Sequence, residues 1–308
     1  MKFSLVIPVA PERNAPIIDS LRKVDYEKKD LQVIVIRGRN PSENRNKGVL
    51  KSKGEIIGFL DDDAIVDINI LKNVERFFKK YPDIDIVGGP QLTPFEDKYF
   101  ARISGYALSS KFGAWKLSSR YSQKNVNLDA DETALTSANL FCKKFVFKKI
   151  NFDTKLFPGE DPKFIEDAKK EGFKVAYSPN IKVYHKRRPT IKSLSKQIFN
   201  YGKTRPLKES FINTLKKPFF LVPSLFVIYL FMLIIMFGLR LIDYKFSQLF
   251  LVPLLLYILL IIIFTFVDSI RNKDYKAIFI LPFVYVLIHI SYGIGMISSY
   301  IKNEIPKS

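Results

Sequence analysis

The stretch Gly54–Asp67, GEIIGFLDDDAIVD, decides how this chain is read. A short apolar run with β-branched residues, Ile56 to Leu60, stops abruptly at Asp61, Asp62 and Asp63. Bounded by Gly54 on one side and acids on the other, it reads as a buried strand rather than a helix. Carboxylates at the carboxyl end of a buried strand stand where open α/β sheets place their ligands. Side chains alternate along a strand, so Asp61 and Asp63 can point one way and Asp62 another. Three adjacent negative charges repel one another, and a bound cation relieves them. Hard oxygen ligands with room left for water and phosphate suit Mg²⁺ or Mn²⁺. A solvated acidic turn is the plainer alternative.

Outward from that stretch the pattern is strand–helix–strand. Phe3–Val9 reads as a first strand, Ile17–Val24 as a helix and Gln32–Ile36 as a second strand, near-continuously apolar as in parallel sheets. The polar loop Gly38–Gly48, GRNPSENRNKG, leads into a short helix over Asn44–Lys53. Leu71–Tyr81 is amphipathic, with Leu71, Val74, Phe77 and Phe78 at helical spacing. Asp85–Val87 is a short strand that runs into Gly88-Gly89-Pro90. This alternation predicts an α/β fold, a doubly wound nucleotide-binding sheet. Phe95–Asn139 is aromatic-rich and irregular, suited to line an acceptor cleft or to fill a core.

Composition bounds the rest. Of 308 residues, 47% are hydrophobic, but they are concentrated after Pro218. Residues 1–217 carry 42 of the basic and 26 of the acidic side chains, about +16 by formal count, which favours an anionic partner. Pro218–Leu239, Phe246–Val267 and Ala277–Ile301 each exceed 20 residues without a charged side chain. A helix of 22 such residues is about 33 Å long, enough for a bilayer core of about 30 Å. The expectation is therefore three membrane spans, at about 218–239, 246–267 and 277–301. With spans attached, membrane lipids and phosphorylated substrates fit the basic excess better than nucleic acid. Lys216, Lys217, Arg271, Lys273 and Lys276 flank one side, against Arg240 and Lys245 on the other, so the soluble part is expected in the cytoplasm and the protein in the cell membrane. The single cysteine, Cys142, excludes an intramolecular disulfide and suits a reducing compartment. The start, MKFSLVIPVA, reads as a strand and not as a signal peptide.

Five segments in order carry a resemblance: IPVAPERN (7–14), PSENRNKG (41–48), GEIIGFLDDD (54–63), GGP (88–90), and FPGEDPKF (157–164) followed by GFKVAYSPNIKVYHKRR (172–188). Together they resemble the family-2 glycosyltransferases with the GT-A fold, a Rossmann-like mixed sheet. The resemblance implies inverting transfer of a sugar from a nucleotide-sugar donor to an acceptor, with a divalent metal, Mn²⁺ or Mg²⁺. It implies a catalytic domain over 1–205, a juxtamembrane linker over 206–217 and a transmembrane domain over 218–308. Asp61 then touches the donor ribose and Asp63 holds the metal, with Pro8, Glu12, Arg45, Asn46 and Asp62 also on the donor side. In relatives the equivalent of Asp161 is the general base, Glu160 helps position the acceptor, and His185 is a further metal ligand. Gln197, Tyr201 and Arg205 resemble an acceptor or phosphate segment of lipid-associated relatives. One departure stands out: where relatives carry an acid that reads the nucleobase, this chain has Arg37, and Glu12 is a possible substitute.

The residues support this chemistry on their own terms, with alternatives. A nucleoside diphosphate leaves poorly until its developing charge is neutralised, by a metal, a guanidinium or a helix N-terminus. Arg45 near the start of a helix suits that, as do Lys47 and Lys51; a plain surface arginine is the alternative. Glu160 and Asp161 open a helix, Pro162–Glu171, where position alone favours N-terminal caps; the alternative is a general base at Asp161 with its pKa raised by Glu160. His185 ends a strand, Ile181–Tyr184, as a ligand or as a partly buried strand-end histidine. The expected reaction is glycosyl transfer to a hydroxyl of a membrane-associated, lipid-linked saccharide. The alternatives are a polyprenyl-phosphate acceptor, a haloacid-dehalogenase-like phosphohydrolase built on Asp61-Asp62-Asp63, or an inactive membrane scaffold.

Overall fold

A computed structural model describes residues 1–156, 158–208, 211–238 and 244–302. Two compact units result: 1–97 with 116–187, and 98–115 with 188–308. The helical segment 98–115 thus groups with the C-terminal helices although it is inserted in the sheet-bearing part of the chain.

The first unit opens with β1 (Phe3–Val9), α1 (Ile17–Leu21), β2 (Leu31–Arg37), α2 (Pro41–Lys51), β3 (Ile56–Leu60), β4 (Ala64–Val66), α3 (Ile70–Lys80), β5 (Ile86–Gly88) and β6 (Gln91–Leu92). In the second unit, α4 (Tyr99–Ser109) and α5 (Lys111–Ala114) follow. The first unit resumes with β7 (Asn139–Lys143), α6 (Glu160–Lys170), β8 (Val175–Tyr177) and β9 (Val183–His185). Six strands form one sheet in the order β2-β1-β3-β7-β5-β8, in which β1, β2 and β3 are parallel and β7 runs antiparallel to both neighbours. The expected α/β mixed sheet is what the chain builds.

Alternation along β1 explains the layering. Phe3, Leu5, Ile7 and Val9 face a core shared with α1 and α3, whose Leu71, Val74, Phe77 and Phe78 form the expected apolar stripe. Val6 faces the opposite core with Val49 of α2 and Phe164 and Ile165 of α6. Burial on both faces accounts for the continuous apolar character of β1 and β3. Helix α2 starts three residues before the expected Asn44, because the Asn40 side chain accepts hydrogen bonds from the Ser42 and Glu43 amides and Pro41 fills the first turn.

A second, three-stranded sheet, β4-β9-β6, has strands of two or three residues, and its β9 (Val183–His185) starts two residues after the expected strand Ile181–Tyr184 and takes in His185. It pairs Ala64 with His185 across antiparallel β4 and β9, and so brings the histidine to the end of β3. Pro90 turns the chain between β5 and β6. A side-chain carbon on Gly89 would stand 1.8 Å from the Ile181 carbonyl oxygen and 2.5 Å from that of Ser178. Only glycine admits that approach of backbones.

The second unit continues with α7 (Ile191–Lys208), α8 (Phe211–Leu215), α9 (Val222–Gly238), α10 (Tyr244–Arg271) and α11 (Leu281–Ile301). Among the described residues, two stretches can cross a bilayer by length and composition, Gln248–Arg271 of α10 and Leu281–Ile301 of α11. The expected three spans narrow accordingly. Pro218–Phe220 is a separate 3₁₀ turn and α9 has 17 residues, about 25 Å of helix against a core of about 30 Å. Residues 277–279 likewise belong to a 3₁₀ turn ahead of α11, while α10 runs on to Arg271. Leu239 and Arg240 lie outside the described residues, as does the Lys245 side chain. Gly293 and Gly295 are packing positions, against the Pro223 and Phe199 carbonyls. His289 takes hydrogen bonds at both ring nitrogens, with the Tyr257 hydroxyl and the Phe112 carbonyl, each at 2.9 Å.

Replacing Gly89 by alanine is expected to destabilise the first unit by about 3 kcal/mol, because both neighbours of the new methyl are backbone and cannot rotate away. Thermal unfolding of the detergent-solubilised chain, followed by circular dichroism, measures it.

Candidate active site

The acids following β3 gather partners from four directions, all within the first unit. Asp61 and Asp63 are partly exposed, whereas Asp62 is buried, as strand alternation predicts. His185, delivered by β9, sets Nε2 at 3.1 Å from Asp63 Oδ1 and 3.6 Å from Asp61 Oδ2. Its Nδ1 lies 3.1 Å from the Lys186 carbonyl oxygen, which fixes the ring and leaves Nε2 for the acids. Burial alone would lower the imidazole pKa, but hydrogen bonds to Asp61 and Asp63 override it and raise it to about 9. Burial would raise Asp63, yet His185 and Arg13 hold its carboxyl well below the usual carboxylate range.

One ligand atom each from Asp61, Asp63 and His185 lies within 4.8 Å of the others. Two carboxylate oxygens and an imidazole nitrogen are a donor set that fits a divalent cation of the Mn²⁺ or Mg²⁺ type, with positions left for other oxygens. The residues therefore fit the metal that the resemblance implies.

Arg45 is the second organiser. It projects from α2, is almost fully buried, and stacks its guanidinium 5.4 Å from the centre of the Phe152 ring. Nη1 donates to Glu160 Oε1 at 2.9 Å and stands 3.7 Å from Asp161 Oδ1, while Nη2 is 3.6 Å from Asp61 Oδ1. One guanidinium therefore links the strand-end acids to the pair that opens α6. Burial would lower the Arg45 pKa, but Asp161, Asp61 and Glu160 together raise it. Glu160 is buried, accepts from Arg45 and from the Gly159 amide, and is pushed up to about 7 by burial and by the Asp161 charge against the opposing pull of Arg45. Asp161 is more open, and the Ser137 hydroxyl donates to its Oδ1. Gly159 takes φ of 119°, a left-handed conformation that favours glycine, and this turns the chain into α6. Phe157 in the preceding turn lies outside the described residues.

The other expected residues divide. Asn46 is not brought to the acids: its side-chain amide donates to the Phe152 carbonyl at 2.8 Å and accepts from the Phe152 amide at 3.0 Å. It clamps α2 to the segment leading to Glu160. Pro8 lies inside β1 opposite Ile36, and Glu12 is exposed in the loop after β1. Gln197, Tyr201 and Arg205 belong to α7 of the second unit. There Gln197 donates to the Tyr201 hydroxyl at 3.2 Å, and Arg205 is buried, 3.6 Å from the centre of the Phe220 ring. Two residues near the acids were not anticipated, Arg13 and Ser137. Arg13 Nη2 is 2.8 Å from Asp63 Oδ2 and 3.1 Å from Asp62 Oδ1. The available signal was its place in IPVAPERN, directly after a strand whose carboxyl end adjoins β3.

Comparisons with known proteins bear on the family and the fold. A family model described as "Glycosyltransferase like family 2" matches residues 1–201. No curated protein matches the chain. Among solved structures, a mannosyltransferase from Pyrobaculum calidifontis in complex with GDP-Man and Mn²⁺ is similar over 100% of this chain and 88% of its own, at 13% identity and a TM-score of 0.61. At that identity the likeness concerns the fold. A crystal structure of S. aureus TarS matches at 16% identity over 65% of this chain, with a TM-score of 0.46, and this chain spans 40% of its length. Its 1–349 piece with UDP-GlcNAc matches at 14% identity over 98% of this chain and 92% of its own, with a TM-score of 0.47.

The raised His185 fixes a pH dependence in metal-free protein. A folded-state pKa of about 9 against an unfolded value of 6.5 means that protonated His185 stabilises fully below pH 6.5 and that this stability is lost as pH rises through about 9. In chelator, the stability difference between the native chain and His185→Gln is expected to be largest at pH 6 and to shrink toward pH 10. Urea unfolding of both proteins across that range measures it.

Proposed function

The chain belongs to glycosyltransferase family 2, and from that premise we propose that it transfers a sugar, with inversion, to a hydroxyl of a lipid-linked saccharide at a membrane. The family makes it an enzyme that uses nucleotide-sugar donors, which removes the phosphohydrolase and inactive-scaffold readings. One observation carries the hydroxyl acceptor: Arg45 spans Asp61 and Asp161, so the donor-side acids and a partly open carboxylate share one face of the sheet end.

Asp61, Asp63 and His185 would hold a divalent metal, Mn²⁺ or Mg²⁺, in this reading. When bound, such an ion neutralises the charge that develops on the departing diphosphate. The chain's own groups do the rest. Asp161 receives the proton of the attacking hydroxyl: its Oδ1 is held by Ser137, which leaves the second oxygen for the acceptor. Glu160 is too buried to meet an acceptor, and its part is to hold Arg45 between the two acid groups. Arg45 in turn keeps Asp161 oriented and lends positive charge to the donor side.

For the membrane, the reading rests on α10 and α11, with α9 as a third, shorter crossing that puts both basic clusters on one side. The basic residues Lys216, Lys217, Arg271, Lys273 and Lys276 favour a cytoplasmic catalytic unit. Nucleotide sugars are made there.

The test is release of nucleoside diphosphate by membranes carrying the chain, with Mn²⁺ or Mg²⁺ and a panel of nucleotide sugars. Activity with one donor, lost in chelator and restored by metal, is expected. Asp161→Asn and Asp63→Asn should each lower kcat by about 10³-fold or more. Absence of release with every donor would overturn the proposal. Survival of transfer to a polyprenyl phosphate in Asp161→Asn would shift the acceptor from a hydroxyl to a phosphate.

A further inference from the structure

Arg13 and Arg37 have no part in the reaction as derived above, yet they stand at the acids. We propose that Arg13 is an exchangeable counter-charge: its guanidinium neutralises Asp62 and Asp63 in the empty site and passes to the diphosphate oxygens of the donor when metal and donor enter. This rests on the donor and metal reading of the same site.

The geometry makes Arg13 a competitor of the cation. Asp63 is claimed on both oxygens, Oδ1 by His185 Nε2 at 3.1 Å and Oδ2 by Arg13 Nη2 at 2.8 Å. A divalent ion held through Asp63 would have to share that carboxylate with the Arg13 guanidinium, and two cations on one carboxylate repel each other. The guanidinium therefore gives way on metal entry. Arg45 cannot make the same move, because it is buried and held by acids on both sides of the site. Arg13 can, because its side chain is half-exposed.

Only the side chain is free to move. The Arg13 amide donates to the Ala10 carbonyl at 3.0 Å, and the Arg13 carbonyl accepts from Arg37 Nη1 at 2.8 Å. Arg37 thus reaches from the end of β2 to pin the loop after β1. This gives a physical account of a basic residue at position 37: a carboxylate there has no proton to donate to a carbonyl. A guanidinium released beside a nucleoside diphosphate finds an anion matched to its planar fork. Net charge moves in the right direction as well, since the positive charge leaving the acids is replaced by the metal and the donor's negative charge takes up the arginine.

Titration of the full chain in detergent with Mn²⁺ alone, and then with UDP or GDP at saturating Mn²⁺, tests this by calorimetry. Arg13→Ala is expected to bind Mn²⁺ more tightly than the native chain, by roughly threefold to tenfold, and to bind the nucleotide about tenfold more weakly. Arg13→Lys should return Mn²⁺ affinity toward the native value while recovering the nucleotide only in part. Arg37→Ala should move both affinities in the directions of Arg13→Ala by less. A purely structural Arg13 predicts the opposite sign for the metal, because disordered acids bind it worse. Unchanged or weaker Mn²⁺ binding in Arg13→Ala, or unchanged nucleotide binding, therefore overturns the proposal while Asp63→Asn still abolishes metal binding. If the native chain binds no Mn²⁺, binds neither nucleotide, or binds the ion equally well as Asp63→Asn, the underlying site reading falls with it.

Discussion

Five carboxylates at one end of a sheet are the constraint on which the first unit depends. Asp61, Asp62, Asp63, Glu160 and Asp161 come from two distant stretches of chain, and bringing them together is unfavourable unless cations intervene. The chain provides three of its own, Arg45, Arg13 and His185. Arg45 is the costliest to bury and the hardest to replace. Its desolvation is offset only because three carboxylates and an aromatic face surround it, and a truncation there would leave buried acid without a partner.

The scaffold around those charges is built from polar clamps more than from apolar packing. Asn40 caps α2 and donates to the Thr154 carbonyl, and Asn46 two turns on binds Phe152 through both ends of its amide. Together they tie the helix bearing Arg45 to the chain entering α6. On the other side, Asn139 at the start of β7 donates to the Ile181 carbonyl at 2.7 Å, beside the close approach at Gly89. That contact holds the segment before β9, and β9 holds His185. The acids are thus approached by elements whose positions are set by hydrogen bonds to backbone, which tolerate little sliding.

Legibility in the sequence followed the physics of each element. β1, β3 and α3 were readable because burial on both faces writes a continuous apolar run, and burial of one helix face an apolar stripe at helical spacing, into the residues themselves. β4 and β6 have three residues or fewer, too few to express any period, and of the expected strand Ile181–Tyr184 only Val183 and Tyr184 fall in β9. Helix α4 was hidden in the aromatic stretch after Phe95, because none of its residues is exposed and no polar face reveals the spacing, and α5 has only four residues. Asp61 and Asp63 could be singled out by residue type and position, and His185 and Asp161 through the family resemblance carried by the order of motifs. Arg13 could not, since its meaning depends on a contact fifty residues further along the chain, and the binding of the Asn46 amide to Phe152 likewise joins residues far apart in the chain.

What the sequence by itself determined was the class of the molecule: an α/β nucleotide-binding sheet ending in acids, followed by helices apolar enough for a membrane. Those properties are local, because hydrophobic period and run length are set residue by residue. Tertiary structure decided which charges meet. That Arg45 joins Asp61 to Asp161, that His185 rather than another base stands at Asp63, and that Arg37 supports the loop carrying Arg13 are consequences of strand order and register. Coulomb and hydrogen-bond energies fall off within a few ångströms, and only the folded chain determines which groups come that close.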